Sequence, residues 1–472
     1  MIEFVGREHE LSQLSWLLDQ VREAVGGHAP GQCVQMRGRR RIGKSSLVEE
    51  SLRRTGVPAV FFTAERRSAE AELTSFWRTV SESGVDRRGL VGGITPRDWS
   101  GAFQTLALLL PDDEPTVVVI DELPYLIEQV DAFEGILQKA WDRELSRKPI
   151  LLILVGSDLG MMEALNQYDR PFYQRGREMV VGPLNPADVG GMLGLDAADT
   201  LDATLITGGL PLICSEWERG TPVWDYLEFA LSNPLSALLV SAERVLAAEF
   251  PRHVQARTVL SAIGSGERTF ANLARAAGDI QQASLQRSLE LLGNKRIIDA
   301  DVPLSDRPSK ERRYRVSDPY LQFWLTFIEP NLHLIERRRA DLALERVRRQ
   351  WTTWRGRAIE PLVRESLARL LPAQGIPAAA EVGAYWTRSN DVEIDIVGAD
   401  RAPIAKQIHF VGSIKWLDQR PFDAHGLGEL AVQRNRLPGA DESTPLLAIS
   451  RSGTSVQGVA SFEPDDLVAA WS

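Results

Sequence analysis

The stretch Gly38-Arg39-Arg40-Arg41-Ile42-Gly43-Lys44-Ser45 constrains this chain more than any other. It follows the apolar run Cys33-Val34-Gln35-Met36 and opens a helical segment, Ser46 to Leu52. A strand, a glycine-bracketed loop and a helix, in that order, make a phosphate-binding loop. The glycines let successive backbone N–H groups point at one anion, and the helix N-terminus adds partial positive charge. Lys44 is placed to reach β- and γ-phosphates, and the Ser45 hydroxyl to sit on Mg²⁺. The chain holds only seven lysines among 54 basic residues, so a lysine at this position is not a by-product of composition. The expected ligand is ATP with Mg²⁺, cradled by Gly38 through Ser46.

Length and charge bound the rest. A chain of 472 residues has room for two to four domains with ample core. Cys33 and Cys214 are too few for a disulfide framework and suit a reducing cytosol. The charged start MIEFVGREHE lacks the apolar core of a signal peptide, and runs such as Ile150–Val155 suit a buried strand. A cytoplasmic protein without membrane attachment is expected. The total charge is −10, which disfavours indiscriminate nucleic-acid binding. Residues 306–357 run against that total, with thirteen Lys/Arg against seven Asp/Glu, a surplus of six that leaves the remainder at −16. Such a segment is either an anion-binding face or a solvated helix surface.

In chain order, Phe4-Val5-Gly6-Arg7-Glu8 leads into an amphipathic helix with Leu11, Leu14, Leu17 and Leu18 on one face. Val57–Phe62 reads as a buried strand, followed by helices near 68–83 and 99–110. Thr116-Val117-Val118-Val119-Ile120-Asp121-Glu122 is an unbroken β-branched run ending in two carboxylates. Continuous apolarity marks a strand covered on both faces, and ligands bind at the C-terminal ends of such strands. This is the Walker B pattern: Asp121 holds Mg²⁺ through water and Glu122 polarises the attacking water. A second buried strand, Ile150–Val155, ends at Gly156-Ser157-Asp158; Ser157, in preference to Asp158, is the residue expected to sense the γ-phosphate. Arg170, Arg175 and Arg177 follow, as an arginine finger for a neighbouring subunit or as a surface loop.

Residues 184–248 read as a helical lid, interrupted by Thr207-Gly208-Gly209-Leu210-Pro211. That step either returns the lid over the adenine or is a turn between helices. From about 251, three helices (254–263, 270–277, 283–292) precede two short strands, 296–300 and 313–316, around a loop 303–312. Three helices and a hairpin describe a winged helix. The third helix is expected to expose Gln282, Ser284, Gln286, Arg287 and Ser288, and the wing loop carries Arg307, Lys310, Arg312 and Arg313. The module meets duplex DNA or packs as an intramolecular or partner-binding surface. A connector, 319–357, holds Pro319-Tyr320 and Phe323-Trp324, then an arginine-rich helix with Arg337–Arg339, Arg346, Arg348 and Arg349 spread around it. Last come a helix Gly356–Leu370 carrying Glu360, a strand 392–397 with Glu393 and Asp395 on one face, and a strand 408–416 carrying Ser413 and Lys415.

These motifs together resemble the archaeal-type P-loop ATPases of archaea and bacteria, relatives of the AAA and STAND classes. The residues that carry the likeness are Phe4–Glu8, Gly38–Ser45, Ile120–Leu126, Gly156-Ser157, Gly208–Pro211, Asp318–Tyr320 with Phe323-Trp324, and Glu393–Val397. The likeness runs nearly end to end with no motif out of order. It implies that Arg175 matches the arginine after a Pro-x-Tyr step, and that Gly6 and Arg7 lie near the nucleotide base. It also implies a PD-(D/E)xK nuclease-like last domain, in which a helix Glu, a strand Asp and a Glu-x-Lys assemble Mg²⁺ and a water. Glu360, Asp395 and Lys415 match three of those positions. Ser413 stands where the fourth, a glutamate, belongs, which removes a charge and a hard oxygen ligand; Glu393, on the strand face of Asp395, either compensates or belongs to an acidic solvated edge.

The resulting expectation is an α/β P-loop NTPase with a parallel, AAA-like sheet (1–183), a helical lid (184–250), a winged helix (251–318), a helical connector (319–355) and an α/β nuclease-like domain (356–472). Its activity is ATP hydrolysis coupled to DNA-directed effectors. A DNA-binding regulator timed by ATP and an ATP-gated nuclease are the alternatives, and assembly into a homo-oligomer is compatible with each.

Overall fold

The computed structural model describes residues 4–23, 25, 30–85, 94–242 and 254–472. They divide into two compact units, one ending at Pro183 and the other beginning at Leu184.

The first unit is a five-stranded sheet with helices on its faces. Helix α1 (Glu8–Glu23) buries Leu11, Leu14, Leu17 and Leu18 as their spacing requires. Then come β1 (Gln32–Arg37), α2 (Lys44–Thr55), β2 (Ala59–Thr63), α3 (Ala69–Glu82), α4 (Trp99–Leu109) and β3 (Thr116–Asp121). Helices α5 (Leu123–Gln129) and α6 (Phe133–Arg143), strand β4 (Ile150–Gly156), α7 (Leu159–Ala164) and β5 (Arg177–Val180) complete it. Every strand pairing is parallel, in the order β2-β3-β4-β1-β5. Both β3 and β4 are buried along their whole length, which is why they read as unbroken apolar runs. Each such Val, Leu or Ile contributes roughly 1.5–3 kcal/mol. One face is closed by an aromatic cluster, Phe62, Phe76, Trp99, Phe103 and Phe133, with neighbouring rings 5.1–6.3 Å apart.

Arg177, read from sequence as part of an arginine loop, begins β5. That edge strand buries only Met179, and the Arg177 guanidinium lies 4.8 Å from the Trp16 ring. Charged residues on a short edge strand disguise it in sequence and guard it against pairing with another chain.

The second unit opens with α8 (Pro186–Leu193), α9 (Ala197–Thr207), α10 (Pro211–Ser215) and α11 (Val223–Ser232). Residues 243–253, covering the end of the expected lid and the start of the next module, lie outside the described residues. Helices α12 (Val254–Gly264), α13 (Phe270–Ala276) and α14 (Gln282–Asn294) lead to an antiparallel hairpin of β6 (Ile298–Asp301) and β7 (Arg313–Val316). Ser288, expected on the exposed face of α14, is buried and donates to the Ser284 carbonyl at 3.0 Å. A hydroxyl satisfied four residues back no longer needs water.

After α15 (Pro319–Phe323), a single π turn (Trp324–Ile328) and α16 (Leu332–Glu336), the long helix α17 runs Ala340–Ala358. Arg337–Arg339 precede it, and it buries Ala343, Leu344, Val347, Trp351 and Arg355, so Arg346, Arg348 and Arg349 occupy a solvent face rather than its whole circumference. The expected helix 356–370 is broken at Ile359: α18 (Glu360–Leu370) starts afresh, with Pro361 in its first turn.

The last sheet contains β8 (Glu381–Trp386), β9 (Glu393–Ala399), β10 (Ile408–Lys415), β11 (Leu446–Ser450) and β12 (Ala460–Phe462). Helix α19 (Ala424–Arg434) links β10 to β11, and α20 (Pro464–Ala469) ends the chain. The strand order is β12-β11-β10-β9-β8; β8, β9 and β10 are antiparallel, and β10, β11 and β12 parallel.

Helix α9 joins the parts of this unit. Every residue from Thr200 to Thr207 is buried, with Leu201 and Leu205 in the core of the last sheet and Ala203 and Ile206 in that of the helices. Asp202 on α9 accepts from Arg355 of α17 at 2.8 Å, and Arg451 reaches both Asp202 and Asp199. Asp418 takes the remaining faces of both arginines, at 3.0 and 2.7 Å. Sequence gave no sign of this cluster, whose members are separated by up to about 250 positions.

Candidate functional site

Strand order places the site. β1 and β3 are not neighbours; β4 lies between them, with Arg37 level with Gly156 and Ile120 level with Leu154. All three strands therefore end at one sheet edge, delivering the loop after Arg37, the Asp121-Glu122 pair and Ser157 to the same place.

The loop itself is tightly sterically specified. A side chain at Gly38 would meet the Val181 carbonyl oxygen at 2.4 Å, and Gly43 adopts φ 88° just ahead of α2. Glycine alone meets both demands without strain. Arg41 also takes a positive φ, Ile42 is buried, and Ser46 follows in the first turn of α2. Lys44 is buried, and its ammonium donates to the Gly38 and Arg39 carbonyls at 2.8 and 3.0 Å. Burial holds the Lys44 amine below its ordinary range, with Glu122 and Asp121 opposing that shift.

Ser45 donates to Asp121 Oδ2 at 2.8 Å. This contact joins the two Mg²⁺ candidates across 76 positions of sequence. Burial raises the Asp121 carboxyl, against the hydrogen bonds from Ser45 and from the Glu122 amide. Glu122 has left-handed backbone angles (φ 54°, ψ 42°) at the start of α5. Its two carboxylate oxygens accept from Ser157 at 3.1 and 2.8 Å. Gly156 is less constrained than Gly38, since an added carbon would meet side chains, Met162 Sδ at 2.4 Å and Pro124 Cδ at 2.9 Å, and no backbone atom.

Other expected residues are placed differently. Arg40 spans the loop to Ser157 Oγ at 3.4 Å and to the Tyr125 hydroxyl. Tyr125 had no assigned role in sequence, although Arg40 and Arg66 both lie against its ring, at 6.0 and 5.7 Å. Arg7, buried at φ 64° beside Gly6, donates to the Ile42 and Gly182 carbonyls at 3.0 and 2.6 Å and so braces the loop from behind. Arg175 forms a bidentate pair with Asp142 of α6 and donates to the Pro171 and Tyr173 carbonyls. Pro211 heads α10 in the second unit, where Gly208 packs on Tyr320 and Asp318 and Gly209 on Leu184. The Gly-Gly-x-Pro and Asp-Pro-Tyr motifs thus meet in one packed turn.

A second cluster lies in the last sheet. Asp395 on β9 faces Ser413 on β10: its Oδ2 accepts from Ser413 Oγ at 3.2 Å and from the Ile414 amide at 2.8 Å. Arg364, one turn after Glu360, bonds Glu360 at 2.8 Å and the Asp395 carbonyl at 2.8 Å. Burial and then the Glu360 charge push the Asp395 carboxyl up to about 6. Glu393 does not compensate for Ser413, because Arg313 of β7 holds it at 2.5 Å. Lys415 forms no hydrogen bond or ion pair with the cluster and acts electrostatically on Asp423. Among the described residues, no three His, Cys, Asp or Glu side chains are grouped to hold a metal ion.

The hairpin loop, read from sequence either as a DNA-contacting wing or as part of an intramolecular packing surface, is pinned to the last sheet. Leu304 donates to the Ala384 carbonyl at 2.8 Å, and Ala405 to that of Ser305 at 2.8 Å. Arg313 also donates to Asn390 and lies 4.5 Å from the Trp386 ring. Arg307, Lys310 and Arg312 remain exposed.

Five parallel strands in this order, with a phosphate loop between β1 and α2, define a P-loop NTPase fold for the first unit. Residues 324–426 match the DUF234 family model, described as archaeal and bacterial proteins of unknown function. An uncharacterized protein of Methanocaldococcus jannaschii is 24% identical over 455 residues, spanning 94% of this chain and 95% of its own. Among solved structures, the Walker-type ATPase of Pyrococcus abyssi is similar at 20% identity and TM-score 0.47, over 68% of this chain and 96% of that one. The Aeropyrum pernix ORC2 protein is similar at 15% identity and TM-score 0.46, over 73% and 95%. Among the described residues no helix is long and apolar enough to cross a membrane.

Proposed function

We propose that the chain is an ATPase that binds ATP at Gly38–Ser46 and hydrolyses it with Glu122 as the catalytic carboxylate. The observation that carries this reading is the 2.8 Å contact of Ser45 with Asp121, at the edge that also holds Lys44 and Glu122. A hydroxyl and a carboxylate side by side at a helix N-terminus suit Mg²⁺, which takes few protein ligands and leaves the rest to water and phosphate. When bound, the ion neutralises charge on the β- and γ-phosphates. Lys44 exchanges two carbonyls for phosphate oxygens, and the loop amides supply the remaining donors. Glu122 orients the attacking water, and Ser157, now holding that carboxylate, is positioned to bond the γ-phosphate in turn.

The test is ATP turnover in the full chain with Mg²⁺. Glu122→Gln should keep ATP binding and lose hydrolysis; unchanged turnover in that variant rejects the assignment of Glu122.

For the second unit we propose a winged helix over residues 251–318 and a nuclease-like domain from 356. Exposed Gln282, Gln286 and Arg287 of α14 support contact with duplex DNA through that helix, while the pinned loop argues against entry of Arg313 into a groove. Glu360, Asp395 and Ser413 come together without a third carboxylate, which supports a retained scaffold that no longer cuts.

A further inference from the structure

A cavity of about 340 Å³ opens inside the second unit, between the hairpin module, α17, α18 and β8–β9. Its floor includes Glu360 and Asp395. Its walls carry six arginines (Arg268, Arg313, Arg315, Arg349, Arg357, Arg364) against four carboxylates, in a chain whose overall charge is −10. Most of these charges are already matched. Glu360 is held by Arg364, Glu393 by Arg313, Asp301 by Arg315, and Arg349 bonds Glu345. Arg268 and Arg357 are the remainder: among the described residues neither guanidinium has a hydrogen bond or an ion pair.

Arg268 is half-buried and Arg357 opens to solvent at the rim of the same cavity, so an anion entering it meets two guanidinium groups that no carboxylate hydrogen-bonds. Burial holds Arg268 below its ordinary range, Glu360 relieves that shift and Arg357 and Arg313 add to it. Guanidinium groups present paired donors that match phosphate oxygens. The cavity also has an unused neutral donor, since Trp354 lines it and its Nε1 is buried without a partner. Trp386 provides a second indole in the wall. The volume lies at the small end of ligand pockets, about 300–1,000 Å³.

We propose that this cavity binds a nucleoside monophosphate, free or as the 5′ end of a strand, with the phosphate held by Arg268 and Arg357. The ligand is bound and not cleaved, because, of the cavity's four carboxylates, Glu393 and Asp301 are engaged by Arg313 and Arg315, and Ser413 stands at the position next to Glu360 and Asp395 where a further carboxylate is required. The hairpin strands, through Asp301 and Arg313–Arg315, form part of the enclosure, which favours a mononucleotide or a strand end over the middle of a duplex. The inference stands apart from the ATPase reading and concerns a different pair of arginines in a different unit.

The test is calorimetric titration of the full-length Lys44→Ala chain, in which the phosphate loop is disabled, with AMP, a 5′-phosphorylated dinucleotide and inorganic phosphate. One saturable site is expected for AMP or for the dinucleotide. Tighter AMP identifies the free nucleotide as the source, and a tighter dinucleotide the strand end. Arg268→Ala/Arg357→Ala should weaken binding at least about tenfold, as loss of charge-assisted phosphate contacts requires. The same arginine pair changed in an otherwise native chain should leave ATP turnover as it was, which separates failure here from failure of the ATPase reading. No saturable heat from either nucleotide at millimolar concentration overturns the proposal. So does equal affinity with and without the two arginines, and so does inorganic phosphate binding as tightly as both nucleotides.

Discussion

Two Asp–Ser pairs occur in this molecule, and their surroundings separate them. Asp121 takes a hydrogen bond from Ser45 at 2.8 Å, and Asp395 takes one from Ser413 at 3.2 Å. Both aspartates are buried and both carboxyls are raised by it. The first pair stands at a helix N-terminus next to Lys44, where positive potential and backbone N–H groups await an anion and its metal. The second lies across two strands beside Glu360, a like charge that raises Asp395 further and is itself held by Arg364. On the proposed reading the same two side chains serve phosphate chemistry in the first setting, whereas in the second they join β9 to β10. Each aspartate has a glutamate beside it that raises it, Glu122 in one case and Glu360 in the other; what separates the pairs is Lys44, which only the first has.

The sharpest way to break the comparison is kinetic. Glu122→Gln should lower ATP turnover roughly 10²–10⁴-fold, the usual range for a positioned acid–base group. Asp395→Asn should leave turnover unchanged, and equal effects from the two would erase the distinction.

Next is stability. The sheet that bears the second pair is tied to α9 by Arg355 and Arg451 on Asp202. Asp202→Ala removes the one buried carboxylate that Arg355 and Arg451 share, leaving them to the more exposed Asp418 and Asp199, and should cost about 3–5 kcal/mol in urea unfolding. A loss no larger than that of an average surface change would show the cluster to be hydrated.

The third effect is on pH. Unfolded Asp395 ionises at its ordinary 3.8, and folded Asp395 at about 6. Between those values the folded chain keeps a proton that the unfolded chain has lost. This contribution therefore favours folding at the acid end and declines as pH rises through the window, by at most about 3 kcal/mol. Urea midpoints of wild type and Asp395→Asn should differ in slope across pH 4–6, and parallel slopes would place Asp395 in water.

The smallest effect concerns the hairpin. Exposed Arg312, changed to Ala, should lower the salt slope of any duplex binding by about one. Arg313→Ala should leave that slope unchanged, because its charge is already spent on Glu393 and Asn390.

The first unit was open to reading because its signals are local. Continuous β-branched runs reported strands buried on two faces, and Gly-Lys-Ser reported the loop between strand and helix. Strand β5 escaped because three of its four residues face solvent, which leaves no periodicity to read. In the second unit the decisive partners are remote. Nothing near Arg313 in sequence announces Glu393, eighty residues on, and nothing near Ser413 announces that Glu393 is already engaged. Ser288 was misplaced for a different reason: a polar side chain that bonds its own helix is invisible to an amphipathic pattern.

Helix α9 has no free side from Thr200 to Thr207. A rod packed on every flank cannot slide or roll by itself, and any displacement must carry the strands around Asp418 and Arg451 with it.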